Sequence, residues 1–110
     1  MDNTNNISAD SFIENRIIEE LKKVYDPEIP VNIYDIGLIY KINTSVNGNV
    51  SIVMTLTSPN CPVAETLPSD VSEAVRKIKE VKNVDVQLVF DPPWNVDMMS
   101  DEAKLELGML

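Results

Sequence analysis

The 110-residue chain carries 18 acidic and nine basic side chains, and its formal net charge of −9 repels a phosphate backbone and an anionic membrane surface alike. Nucleic acid and membrane are thereby set aside as partners. The single cysteine excludes an internal disulfide, and the absence of histidine removes Ser-His-Asp, Cys-His and His-based metal chemistry in one step.

A chain of this length buries roughly two-thirds of the surface that its unfolded form exposes, enough for one core. With few aromatic residues, that core falls to Ile, Val, Leu and Met. Residues 1–10, rich in Asn, Asp and Ser, show no apolar period and are expected to form a flexible N-terminal tail ahead of a single domain over 11–110. No signal peptide or membrane-spanning run is read, so a cytoplasmic location is expected.

Ser11 and Glu14 make an S-x-x-E capping box, and Ile13, Ile17, Leu21 and Val24 recur at helical spacing behind it. Asp26-Pro27 ends that helix, because proline disfavours helical geometry in the residue before it. Leu38, Tyr40 and Ile42 then alternate, as do Val50, Ile52, Met54 and Leu56, which predicts two strands joined as a hairpin. A three-residue loop, Asn47 to Asn49, sets Ile42 opposite Met54 and Tyr40 opposite Leu56, and so keeps polar side chains off the apolar face.

Beyond Cys61, the positions Ala64, Leu67, Val71, Ala74, Val75 and Ile78 hold one helical phase through Pro68, which predicts a single kinked helix. Val84, Val86, Leu88 and Phe90 alternate as a third strand, reached by a parallel crossover. Ser100 caps a last short helix, with Asp101 and Glu102 in its first turn and Gly108 past its end. The fold class is α/β (α+β): a two-layer sandwich in the order α-β-β-α-β-α, with a small three-stranded mixed sheet.

Antiparallel and parallel pairing together bring three proline-rich segments to one rim of this sheet: Asp26 to Gly37, Thr57 to Pro62 and Phe90 to Trp94. Ligand sites in open α/β sheets commonly lie at such strand ends. Cys61 stands in the turn after the second strand, between polar Asn60 and Pro62, where a loop on a rigid scaffold favours function over packing. If Pro62 opens the next helix, the amides of Val63 and Ala64 point at the sulfur and the helix dipole favours thiolate. Asp26, Glu28, Asp35 and Asp91 act in the opposite direction, because nearby negative charge disfavours the thiolate. The sequence leaves the balance open. Each supporting residue also has a structural reading: Asp26, Glu28, Asp35 and Asp91 as turn formers, Thr57 as a strand-end hydroxyl. Trp94 is a candidate anchor for a partner, or a ring laid over the core edge with its N–H on a polar group.

Taken together, "DPEIPVNIYDIGLIY", "MTLTSPNCPVAETLP" and "VFDPPWNVDMMSDEAKLELGML", in this order, resemble the iron–sulfur cluster assembly domain family linked to the SUF machinery, the SufT-type proteins. The likeness runs from Phe12 to Leu110. The family's motif cysteine matches Cys61, its D-x-G-L element Asp35, Gly37 and Leu38, its DPE element Asp26 to Glu28, and its T-x-x-x-C element places Thr57 beside the thiol. The family's PaaD branch adds a cysteine-rich metal-binding tail that this sequence lacks, so the SUF-type branch is the closer likeness. The resemblance implies a maturation accessory factor and not an enzyme, acting as adaptor or transient cluster or iron ligand through Cys61 in delivery to apoproteins. SUF-type assembly proteins and client apoproteins are the implied partners. An iron–sulfur cluster takes four thiolates or their equivalents, and one chain supplies one. No stable cofactor is therefore expected: a bound cluster is transient, or shared across a homodimer or with another thiol. The competing class is a thiol-dependent enzyme with Cys61 as nucleophile, against which stand the missing histidine and the missing resolving cysteine.

Overall fold

The computed structural model describes residues 4–26, 29–57 and 66–109, with the backbone alone for 4–11. Helix α1 (Thr4–Leu21) is followed by one helical turn, α2 (Ile33–Ile36), and by the strands β1 (Ile39–Thr44) and β2 (Asn49–Met54). Helix α3 (Leu67–Arg76), strand β3 (Asn83–Leu88) and helix α4 (Asp101–Glu106) complete the order. The sheet runs β1-β2-β3, an order the sequence left open, with β2 antiparallel to β1 as the hairpin predicts and parallel to β3 as the crossover predicts.

The core lies where α1 and α3 cover one face of this sheet. Ile17 and Leu21 from α1, Val71 and Val75 from α3, and Val50, Ile52 and Met54 from the central strand are buried together. Each such aliphatic side chain contributes about 1.5–3 kcal/mol by leaving water. The opposite face stays polar, with Asn43, Asp85 and Gln87 exposed. Helix α1 begins at Thr4 and not at Ser11. Once Ile13, Ile17 and Leu21 hold a packed nucleus, each further residue adds a hydrogen bond at little cost, so the helix propagates backward past the capping box.

The hairpin keeps the three-residue loop length but shifts it by one position. Ile42 pairs with Ile52 and Thr44 with Val50, and Ser45 N–H donates to Asn49 O at 3.0 Å, which closes the loop over Val46, Asn47 and Gly48. The reason is conformational: the last residue of such a loop is left-handed, and Gly48, at φ 87°, supplies that geometry where Asn49 would resist it. The expected pairing of Ile42 with Met54 is thus corrected to Ile52, a shift of two residues that leaves the same side chains on the buried face. Tyr40 does not face Leu56. Ile39 pairs with Met54 and Lys41 with Val53, so Tyr40 is the extra residue of a β-bulge.

Helix α3 begins at Leu67, and Pro68 falls in its first turn, where a missing N–H is harmless. The predicted interior kink at Pro68 is therefore replaced by an ordinary helix start. Strand β3 stops at Leu88 and leaves Phe90 exposed beyond it. The chain then returns across the rim as a strap over residues 89–100, containing a 3₁₀ turn at Val96–Met98, before Ser100 caps α4 by accepting from Ala103 N–H at 3.1 Å.

Candidate functional site

The strap joins the end of β3 to the start of β1, and so spans the end of β2 between them. Three hydrogen bonds pin it there. The Trp94 indole N–H donates to Ile36 O at 2.9 Å, the Tyr40 hydroxyl donates to Pro92 O at 2.7 Å, and Ser100 N–H donates to Asp35 O at 2.8 Å. The bulge in β1 matters here, because bulges re-aim side chains and Tyr40 is the bulged residue. At the other end of the rim, Thr55 N–H donates to Leu38 O and Val89 N–H to Met54 O, each at 2.8 Å. The first and third proline-rich segments are thereby locked together.

Helix α2 was not read from the sequence, and it decides where Asp35 points. Asn32 caps it: its Oδ1 accepts from Asp35 N–H at 2.9 Å, and its Nδ2 donates to Asp35 Oδ2 at 2.8 Å. The reciprocal pair satisfies an amide at the helix start and holds the carboxylate in place. Gly37 ends the turn at φ 95°, with Met98 of the strap directly above it. The signal was present as N-x-x-D followed by glycine, but four residues carry no apolar period to draw attention to it.

The Asp35 carboxylate borders a pocket of about 240 Å³ lined also by Tyr25, Asn32, Glu102 and Glu106. These carboxylates and the asparagine make it rich in acceptors. A second, more apolar groove of about 440 Å³ lies along Tyr34, Gly37, Ile39, Tyr40, Pro92 and Met98. Of the other residues singled out by sequence, Asp26 is 2 % exposed, Thr57 is half-buried just past β2, Asp91 is exposed on the strap, and Trp94 is half-buried. Glu28 and Cys61 lie outside the described residues. Among the described residues no three Cys, His, Asp or Glu side chains are grouped to hold a metal ion, and no helix is long and apolar enough to cross a membrane. Sequence reasoning also passed over Thr55, which is fully buried with its Oγ1 unpaired among the described residues.

Residues 14–87 match the family model described as iron–sulfur cluster assembly protein. A protein of Porphyromonas gingivalis named Fe-S protein maturation auxiliary factor is 54 % identical over 97 residues, 88 % of this chain and 92 % of that one. The Staphylococcus aureus protein named Fe-S protein maturation auxiliary factor SufT is 40 % identical over 86 residues, 78 % of this chain and 98 % of its own. Among solved structures, a domain of unknown function from Bacillus anthracis superposes with a TM-score of 0.87 at 36 % identity, covering 94 % of this chain and 99 % of that one. Its fold agrees with the two-layer mixed-sheet architecture described above.

Proposed function

We propose that this chain, which belongs to the iron–sulfur cluster assembly protein family, is an accessory factor in the maturation of iron–sulfur proteins. It acts as an adaptor or transient ligand, and Cys61 is the group that touches the cluster or iron in transit to an apoprotein. The observation that carries this reading is the 54 % identity, over 88 % of the chain, to a protein named as a maturation auxiliary factor.

Elementary coordination chemistry narrows the mechanism. One cysteine and no histidine supply one thiolate per chain, whereas a cluster needs four ligands. Storage by a single chain is therefore disfavoured against ligation that is brief or shared with assembly proteins, a client, or a second copy. Such a role needs a defined docking surface more than it needs proton transfer. The pinned strap supports this, since hydrogen bonds from Trp94, Tyr40 and Ser100 hold the rim in one arrangement. Asp26, Glu28, Asp35, Thr57 and Asp91 are the supporting groups of the proposed rim, and Trp94 is its partner-facing candidate.

The test is anaerobic purification of the wild-type protein and of a Cys61→Ala variant, followed by iron and sulfide analysis and by an assay of client maturation. The variant is expected to mature clients poorly. Equal maturation by both proteins removes the thiol from the mechanism.

A further inference from the structure

We infer that the outer edge of β3 is a surface through which two copies of this chain associate, strand against antiparallel strand, about a two-fold axis at Val86. This contact is independent of what Cys61 does.

Strand β3 is paired on one side. Asn83 N–H donates to Gly48 O at 3.2 Å and Val89 N–H to Met54 O at 2.8 Å, and the register between them is unbroken, from Asn49 opposite Asn83 to Met54 opposite Leu88. In a parallel ladder alternate residues bond to the neighbour, so Asp85 and Gln87 turn their main-chain groups toward β2, and Val84, Val86 and Leu88 turn theirs outward. Among the described residues nothing pairs with those outward groups, and the sheet ends there. The two edges of the sheet differ. Strand β1 carries the bulge at Tyr40 and the exposed Lys41, devices that discourage further pairing, whereas Asn83–Leu88 has neither bulge, proline nor lysine.

Charge and register choose the occupant. The outward groups of two copies meet only in alternate antiparallel registers. The one centred on Asp85 sets two like charges directly opposite each other, which is destabilising, and the one centred on Gln87 leaves Val84 beyond the end of the other strand. The register centred on Val86 avoids both faults: Val86 faces its counterpart, Val84 faces Leu88, and Asp85 faces Gln87, whose carboxamide can donate to the carboxylate. The ends match as well. Lys79 and Lys82 precede β3 and Asp91 follows it, all exposed and without an ion pair among the described residues. Antiparallel order brings each copy's Lys82 opposite the other's Phe90 and next to its Asp91, so opposite charges meet at both ends. Apolar surface is covered too, because Val84, Val86 and Leu88 are half-buried at the margin of the core and Phe90 is 42 % exposed just past the strand. A strand of another protein can make the same main-chain bonds; the self-match of side chains and charge is what singles out a second copy.

Sedimentation velocity at about 0.1 M salt measures the association, since the repulsion between two chains of net charge −9 is then screened beyond roughly 10 Å. The wild-type chain is expected to pass from monomer to dimer between about 1 μM and about 1 mM. Hydrogen exchange at the Val84, Val86 and Leu88 amides is expected to slow in step, while Asp85 and Gln87, bonded to β2, are protected at every concentration. Val86→Pro removes the N–H on the axis without touching the β2 side, and is expected to abolish the dimer. Gln87→Lys is expected to tighten it and Gln87→Glu to weaken it, each by about 2- to 30-fold because the pair with Asp85 occurs twice. Asn43→Lys makes the same change of net charge on the same sheet face but on β1, and is expected to stay within about twofold of wild type. A chain that remains monomeric throughout overturns the proposal and leaves the edge to a strand of another protein. A dimer indifferent to both Gln87 variants, one that responds equally to Asn43→Lys, or one whose outward amides still exchange fast forms elsewhere, and overturns it too. Should Val86→Pro unfold, the Gln87 variants, on the exposed face, decide alone.

Discussion

Gly37 has no freedom to become anything else. A Cβ built there meets the Met98 carbonyl oxygen at 2.4 Å, and the residue holds φ at 95°, where other L residues are strained. Left-handed strain costs about 1–2 kcal/mol and overpacking against backbone adds about 1–3. Gly37→Ala is therefore expected to lose about 2–5 kcal/mol in urea denaturation. Because Met98 belongs to the strap, the change also displaces Trp94, the only tryptophan, whose emission shifts red as its environment becomes wetter. An unshifted spectrum with unchanged stability would show that the strap yields freely. The D-x-G-L resemblance marked Gly37 without saying why it is there. The physical reason is a contact between residues 61 positions apart, which no local pattern carries.

At the scale of elements, what the sequence made legible is what has a period. Val50, Ile52 and Met54 alternate and lie on the buried face of β2, although the strand ends at Met54 and does not reach Leu56; Ile17 and Leu21 recur at helical spacing, and α1 packs on that face. The misplaced parts follow a different logic. The hairpin register turned on a single left-handed glycine, and α2 is too short to show a period. The strap is held by bonds such as Trp94 to Ile36 whose partners lie far apart in the chain. Two of the seven residues proposed for the rim, Cys61 and Glu28, lie outside the described residues, and pattern and kinship alone assign them to it. Two substitutions test the strap as a unit. Tyr40→Phe removes the bond to Pro92 O and is expected to cost about 0.5–1.5 kcal/mol, the net value of one exchange-compensated hydrogen bond. Ser100→Ala removes the side-chain acceptor for Ala103 N–H and is expected to cost about 1 kcal/mol by uncapping α4. Tyr40 holds the strap from β1 and Ser100 ends it, so the double variant should depart from the sum of the two losses in the same denaturation assay. Strict additivity would mean that α4 and the strap fold back independently.

For the molecule as a whole, charge is the term that sequence states most directly and structure leaves least balanced. Eighteen acids face nine bases. Among the described residues the ion pairs Arg16–Glu80 at 2.8 Å and Lys23–Glu20 at 3.2 Å both lie at the surface, where such pairs contribute about 0–1 kcal/mol. The remaining acids repel one another through solvent, and Asp35, Glu102 and Glu106 border a single pocket. The molecule measures 44 × 31 × 24 Å, while the screening length falls from roughly 30 Å at about 0.01 M salt to roughly 10 Å at about 0.1 M. At the lower salt, repulsion therefore acts across the whole fold, and at the higher salt only between neighbours. The unfolded chain spreads the same charges over a larger volume, so screening relieves the folded state more. Tm is accordingly expected to rise by about 2–4 °C over that salt increase, as scanning calorimetry measures it, in line with a relief of about 0.5 kcal/mol. A fall in Tm would mean that Arg16–Glu80, which ties α1 to the turn after α3, outweighs the surplus of acids; Glu80→Gln should then abolish the salt effect.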